Sequence, residues 1–286
     1  MANITLGLTN YADEAVLSGG SWRTSLPRSN LQNRRLSKVA RTPDALAASS
    51  QFDCALVKGR PVRVLALIAH NLSVSSTVRL IGCDAADFAA PLYDSGAVSM
   101  WPAGVIPQDM LEWEDDNFWL GTISEEAIAG YRAPFIHLLP STVTARYWRV
   151  EIADTGNSNG WIHVGRLYLA NAWTPHYNMR YGADLGFDDV SIFETSLTGE
   201  EFFERRRKRR NFRFDLAALS EEEGYQSALE LDRLAGTTGE VLVIPDATDI
   251  TNAPRRNFVG RLAALSGVVH AHHGLMEKSY EIVEIL

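Results

Sequence analysis

The sequence predicts a mainly β protein in which a β-sandwich is followed by a second β domain with one flanking helix. Side chains alternate from Tyr147 to Ile152, with Trp148 on the more apolar face, which is the period of a strand buried on one side. The residues from Asp154 to Gly160 are turn formers, and the run from Trp161 to Leu169 returns as a second strand. Two antiparallel strands with large aromatic side chains need another sheet to cover them, which predicts a sandwich.

Bulk composition is that of an ordinary globular protein. The chain has 286 residues, 46% of them hydrophobic and 22% charged, which is long enough for two domains. It has no apolar run near the roughly 20 residues that span a bilayer and no signal-peptide pattern at its start, so we expect a soluble, unexported chain. In that setting Cys54 and Cys83 are expected to be buried thiols rather than a disulfide. The net charge of −8 argues against a general nucleic-acid binder.

The first part of the chain, residues 1–50, is rich in Ser, Asn and Arg and poor in periodic patterns. It predicts an extended arm that lies against the body of its own chain or of a neighbour. Short apolar anchors would otherwise stay in water, and they are Trp22, Leu26, Leu31 and Leu36. The alternative is a disordered tail, because low hydrophobicity is typical of disorder.

The predicted sandwich domain covers residues 51–175, where strand patterns are dense. From Val62 to Ile68 nearly every position is apolar, which predicts a core strand buried on both sides. Between Ala89 and Ser141, prolines interrupt the strand fragments and predict long loops around an acidic, aromatic segment. This loop could dock a sugar or a protein through its aromatic side chains, or those side chains could plug the end of the sandwich; they are Trp101, Trp113, Phe118 and Trp119.

After a predicted linker over residues 176–204, the last domain covers residues 205–286. Ser220 and Glu223 form a capping-box pattern, and Gly236 stands where a helix would end, so a helix is predicted over about 221–235. Strand patterns surround it, at residues 211–217, 240–244, 257–266 and 275–285. The sequence therefore predicts a β-rich domain with one flanking helix.

A basic run begins this domain and consists of Arg205, Arg206, Arg207, Lys208, Arg209 and Arg210. Its candidate roles are contact with DNA, contact with an acidic face of a neighbouring subunit, or a solvated surface beside nearby glutamates. We favour subunit contact, because positive charge lining a channel would hold DNA phosphates and hinder their passage.

No motif points to catalysis, a cofactor or a metal. His270 and His272 share a face of a predicted strand beside His273, but no third ligand stands at a suitable spacing. The adjacent acid pairs, Asp115 with Asp116 and Asp188 with Asp189, point apart on a strand or cap a turn more often than they cleave glycosides. We therefore expect no enzyme activity, no cofactor and no metal site.

Two stretches, RPVRVLALIAHNLSVSSTVRLIGC and ARYWRVEIADTGNSNGWIHVGRLYLANAW, carry a family resemblance. Together they resemble the discoidin-like, galactose-binding-type jelly roll, in the variants found in tail proteins of bacteriophage virions. The family's turn after a core strand is matched by His70, Asn71 and Leu72, and the resemblance covers roughly residues 50–173. It implies a jelly-roll sandwich whose ligand loops vary between members.

The strand and helix order of residues 205–286 resembles the tail-tube-like domain of tailed-phage proteins, especially distal tail and minor tail proteins. In that family the domain assembles as a ring, usually of six chains, which extends the tail tube into the tip or baseplate. The resemblance therefore implies a homo-oligomer.

Together these observations favour a structural component of a bacteriophage tail tip or baseplate, a ring-forming, distal-tail-like subunit located in the virion tail and assembled in the host cytoplasm. The implied partners are the tail tube, hub or fibre proteins and a homo-hexameric ring, with a host-surface glycan as a further partner, DNA only as the transiting genome, and no membrane anchor. The first alternative is a carbohydrate-binding module for host recognition, and the second is a glycan-degrading tail enzyme.

Overall fold

The computed structural model describes residues 2–101, 113–114, 119, 121 and 133–286. Within them the chain is mainly β and antiparallel, which confirms the predicted fold class. It forms two compact units. The sandwich unit comprises Asn10–Ala172 with Ala247–Asn257, and the second unit comprises Met1–Thr9, Trp173–Asp246 and Phe258–Leu286. None of the helices in the described residues is long and apolar enough to cross a membrane.

Eighteen strands are formed by the described residues. They are β1 (Thr5–Asn10), β2 (Val16–Ser18), β3 (Ala40–Arg41), β4 (Phe52–Ile68), β5 (Thr77–Cys83), β6 (Tyr93–Asp94), β7 (Val98–Ser99), β8 (Phe135–Ala153), β9 (His163–Val164), β10 (Arg166–Trp173), β11 (Asp184–Asp188), β12 (Ile192–Thr195), β13 (Glu201–Glu204), β14 (Arg209–Ser220), β15 (Val241–Ile244), β16 (Phe258–Leu262), β17 (Val269–His272) and β18 (Leu275–Glu284). The helical segments are the 3₁₀ turns Tyr11–Glu14 and Arg28–Gln32, α1 (Ala47–Ser50), a π-helical segment Glu223–Leu229 that continues as α2 (Glu230–Ala235), and α3 (Ala253–Arg256).

In the sandwich unit, the long strands β4 and β8 each take part in two sets of pairings. The first half of β4 lies between β2 and the end of β8. That end of β8 also pairs with β5, and β5 pairs in turn with β6 and β7. The second half of β4 lies between β10 and the start of β8. The register shifts between these halves, which lets the strands bend from one layer to the other. Apolar side chains of both layers meet in a single core, as a sandwich requires.

Trp148 lies at the centre of this core and is fully buried, as the alternation from Tyr147 to Ile152 predicts. It stands opposite Gly82 on β5, and a Cβ atom at Gly82 would lie 2.6 Å from the indole ring. Only glycine therefore leaves room for this side chain. Cys54 and Cys83 are free and buried, as predicted, and burial raises the pKa of Cys54 to about 12.

The structure divides the first 50 residues differently from the predicted arm. Thr5 to Gly7 of β1 pair with β15 in the second unit, whereas Ala12, Leu31 and Ala40 are fully buried in the sandwich core. The ring of Trp22 packs edge-on against Phe52, with 6.0 Å between centroids. The anchors are thus covered by the chain's own units, because they have enough apolar surface to join existing cores.

The second unit is one antiparallel sheet in the order β11, β14, β18, β16, β15 and β1, with β17 paired to β18. Phe212 and Phe214 stack on its inner face with 4.9 Å between ring centroids. The predicted helix is present. The Ser220 Oγ accepts a hydrogen bond from the Glu223 N–H, and the Ser220 N–H donates to the Glu223 carboxylate, each at 3.2 Å. Gly236, at a φ of 53°, ends it.

The predicted linker, residues 176–204, contains ordered strands. Strand β11 pairs with β14 from Asp184 to Asp188, and β12 and β13 form a separate two-stranded hairpin. Alternating apolar residues in this stretch, such as Leu185 and Phe187, form strands although turn formers surround them.

Candidate functional site

A polar cluster lies at the end of the sandwich unit where β4 finishes. The chain leaves β4 through Ala69, whose φ of 55° places it in the left-handed region, and reaches Asn71. The Asn71 side-chain amide donates to the carbonyl of Trp161 at 2.9 Å, and its oxygen accepts from the N–H of His163 at 2.7 Å. Asn157 donates to the Asn71 carbonyl at 2.8 Å. These bonds fix the return of the chain into β9.

Arg41 enters this cluster from a distant part of the sequence. Strand β3 pairs with β9 so that Arg41 lies opposite His163. The guanidinium carbon of Arg41 lies 3.5 Å from the centroid of the Trp161 ring, which is a cation–π stack. In the described part of the chain, the enclosed Arg41 Nε has no hydrogen-bond acceptor.

Two neutral imidazoles belong to this cluster. Burial, together with the neighbouring His163, lowers the pKa of His70 to about 4. Burial and the charge of Arg41 also lower the pKa of His163. Both rings are therefore neutral at pH 7. The His70 Nδ1 accepts from the Leu72 N–H at 3.3 Å, so its acceptor is occupied, whereas His163 offers one N–H donor and one nitrogen acceptor.

Asp154 holds the turn beside these rings. Its buried carboxylate accepts from the Ser73 hydroxyl, from the Ser73 N–H at 3.0 Å and from the Asn157 amide at 2.7 Å. Three hydrogen bonds to one carboxylate hold this side chain in a fixed position within the turn. The Asp154 side chain therefore has a structural role.

The structure separates the aromatic residues predicted to dock a ligand. Trp101 is 5% exposed and belongs to the sandwich core, which fits the alternative in which aromatic side chains plug the sandwich. Trp113 and Trp119 are 71% and 70% exposed, and their rings meet edge to face with 5.4 Å between centroids. Phe118 lies outside the described residues. Ligand or protein contact through the exposed pair stays a prediction.

The basic run does not form one uniform surface. Arg206 pairs with Glu204 at 3.1 Å, Lys208 with Asp189 at 3.6 Å and Arg209 with Asp188 at 3.5 Å, all in solvent-accessible positions. Arg210, by contrast, is 4% exposed, and its guanidinium pairs with Glu284 and lies 5.1 Å from the ring centroid of Phe258. Because its side chain is buried near the start of β14, Arg210 is not available at the surface for the predicted contact with a neighbouring subunit. Arg205 and Arg207 are exposed.

The other predicted acid and histidine groups assemble no site in the described residues. Asp188 and Asp189 face the basic run, and Asp115 and Asp116 lie outside the described residues. His270 meets the Tyr225 hydroxyl at 3.1 Å. No group of three metal-binding side chains occurs among the residues that the structure describes.

Arg41, Trp161 and His163 are absent from the site residues predicted by sequence. Trp161 and His163 lie in a predicted strand, and Arg41 lies in the predicted arm, so nothing in the sequence links them. His70 and Asn71 are identified only as a turn that matches a family pattern. A polar pair directly after a fully apolar strand is the one local signal that could have pointed to this end of the sandwich.

No family profile matches the chain, and no curated protein matches it. Among solved structures, a family 32 carbohydrate-binding module of Clostridium perfringens in complex with galactose is 13% identical, with a TM-score of 0.38 over 58% of this chain and 99% of that module. A module from a family 31 glycoside hydrolase of the same organism is 9% identical, with a TM-score of 0.38 over 57% of this chain and 97% of its own. A fucose-binding module of Streptococcus pneumoniae is 14% identical, with a TM-score of 0.36 over 57% and 95%.

Similarities at this level carry no conclusion about the ligand of this chain. None of these three structures is described as a bacteriophage protein, so the tail-protein resemblance stays a prediction. The sandwich itself is defined by the chain's own strand pairing and its single core.

Proposed function

We propose that the sandwich unit is a non-catalytic carbohydrate-binding module whose ligand sits at the end formed by Arg41, His70, Trp161 and His163. The observation that carries this proposal is the stacking of the Arg41 guanidinium on the Trp161 ring beside His163. A sugar hydroxyl can accept a hydrogen bond from the guanidinium of this stack.

The chemistry of the cluster suits a neutral, hydroxyl-rich ligand. The neutral His163 imidazole can donate to one hydroxyl group and accept from another, and a sugar carries several hydroxyls on an otherwise apolar ring. The partly exposed indole of Trp161 offers an aromatic surface for the C–H face of such a ring. Asp154 is fully engaged in holding the turn, so binding without bond cleavage is the expected outcome.

The test is a glycan array on the full-length protein, followed by calorimetry with the best oligosaccharide. Truncating the stack by Trp161→Ala, or replacing the donor by Arg41→Gln, should weaken binding by about 10–100-fold, because each removes about 1.4–3 kcal/mol of contact at a central position. The matched control is Arg79→Gln, which removes an exposed arginine from a surface ion pair with Asp94 and should leave affinity unchanged.

Absence of any array signal would contradict carbohydrate binding. Full affinity in both Arg41→Gln and Trp161→Ala would place the ligand elsewhere, and the exposed Trp113 and Trp119 pair would become the next residues to change.

A second candidate is a structural subunit of a bacteriophage tail tip or baseplate, located in the virion tail, assembled in the host cytoplasm and joined to tail tube, hub or fibre proteins in a homo-hexameric ring. The observation that favours it is the second unit's exposed basic segment, in which Arg205 and Arg207 have no ion pair among the described residues. Mass spectrometry of purified particles, with the chain located by labelled antibody, tests this candidate. If the chain is absent from intact particles, this second candidate function is ruled out.

A further inference from the structure

The hairpin of β12 and β13, residues Ile192–Glu204, is here named the apolar hairpin. Its two strands pair only with each other among the described residues, from Ile192 opposite Glu204 to Thr195 opposite Glu201. None of its side chains belongs to the core of the second unit. An isolated two-stranded hairpin is at best marginally stable in water, so this element needs a cover.

The apolar hairpin exposes large side chains on both of its faces. Phe193 and Phe203 stand directly opposite each other, so they share one face, whereas Ile192 and Phe202 lie on the other face. Phe193 is 70% exposed, Phe203 is 63% exposed and Phe202 is 61% exposed. Leu197 at the tip is fully exposed.

At roughly 200 Å² for each phenylalanine side chain, the three rings present about 400 Å² of apolar surface to water. The largest apolar patch on a typical monomer is about 300–600 Å² and is often functional. Three aromatic side chains thus place that much surface on a single hairpin, and the larger share of it, from Phe193 and Phe203, lies on one face that a partner can cover.

Charge is distributed along the apolar hairpin with opposite signs at its two ends. Glu194, Glu200 and Glu201 lie near the tip, and their carboxylates have no ion pair among the described residues. At the base, Arg205 and Arg207 are likewise exposed without an ion pair in that part of the chain. A second copy of the same hairpin is therefore complementary in charge to the first when the tip of each copy lies against the base of the other.

We propose that the apolar hairpin docks onto a second copy of this chain, with its acidic tip against the basic base of the other copy and with Phe193 and Phe203 buried between them. A lipid surface is the poorer partner, because the glutamates near the tip would have to approach anionic headgroups or leave water without a counter-charge. This inference is independent of the carbohydrate-binding proposal.

Sedimentation velocity of the full-length protein over a concentration series tests the apolar contact. The double variant Phe193→Ser with Phe203→Ser should weaken self-association by about tenfold or more, since central aromatic side chains dominate such contacts. The control Leu92→Ser changes an exposed leucine of the sandwich unit and should leave self-association unchanged. Both changes are at exposed positions, so the thermal midpoint measured at low concentration should not move.

Charge reversal tests the tip-to-base arrangement. Glu200→Lys with Glu201→Lys should abolish self-association, and so should Arg205→Glu with Arg207→Glu, because each makes tip and base alike in charge. An equimolar mixture of these two proteins should associate again. The basic tip of one variant then meets the acidic base of the other, and the basic base of the first meets the acidic tip of the second. High salt should weaken the parent complex.

Three results would overturn the proposal. They are a parent protein that stays monomeric at every concentration, charge-reversed variants that associate as the parent does, and binding to phosphatidylserine vesicles that depends on Phe193 without any self-association.

Discussion

Replacing Trp148 by alanine should lower the free energy of unfolding by about 3–5 kcal/mol. The indole is fully buried in the sandwich core and lies against Gly82, which has no side chain to fill the space. The loss therefore combines the transfer of a large apolar group with the cost of a cavity. Guanidinium denaturation of the full-length protein, monitored by circular dichroism, measures it.

Trp148→Phe is the matched control for this prediction. The Trp148 Nε1 is enclosed and has no hydrogen-bond partner in the described residues, so removing it breaks no bond. Phenylalanine keeps most of the apolar contact and should cost well under half of the alanine effect. An alanine variant that melts within a degree or two of the parent would show that this strand does not face the core.

Replacing Asp232 by alanine should destabilise the protein by about 3–5 kcal/mol, because it leaves a buried charge without its partner. The Lys278 ammonium is fully buried, pairs with the Asp232 carboxylate, and donates to the Ser266 carbonyl at 2.7 Å. The ammonium nitrogen also lies 5.1 Å from the centroid of the Tyr280 ring. Once the carboxylate is removed, the ammonium must lose its proton or draw water into the core of the second unit.

The double variant Asp232→Leu with Lys278→Met tests whether the loss of stability comes from the unpaired buried charge. Two apolar side chains of similar size remove both charges, so the double variant should recover most of the stability lost in Asp232→Ala. Chemical denaturation of the parent, of Asp232→Leu, of Lys278→Met and of the double variant gives the coupling energy between the two positions. If Asp232→Ala unfolds at the parental denaturant concentration, the ammonium is not buried in solution.

Features that depend on neighbouring residues could be predicted from the sequence. The inward face of Trp148 follows from a period of two, and the helix limits follow from Ser220, Glu223 and Gly236 because a cap needs only a few adjacent residues. The same reasoning misses the continuity of β4. Lys58, Gly59 and Pro61 suggest a break between two strands, but the chain passes through them with a shift in register.

Features that depend on distant pairing could not be predicted. Arg41 and His163 are more than a hundred residues apart, and only the pairing of β3 with β9 brings the guanidinium onto Trp161. The apolar hairpin was missed for a different reason. Its strands are four residues long and lie among turn formers, so their pattern is too short to separate from a linker.

The pairing of β1 with β15 has a consequence for how the chain matures. Thr5 leaves the ribosome about 240 residues before its partner Ile244. At roughly 5–20 residues per second, roughly 10–50 s separate the two events. The sandwich unit can complete most of its sheet pairings during that interval, before the β15 partner of β1 has been made. Anything that binds this edge of the nascent β1, such as a chaperone or another chain, therefore competes with the pairing of β1 and β15.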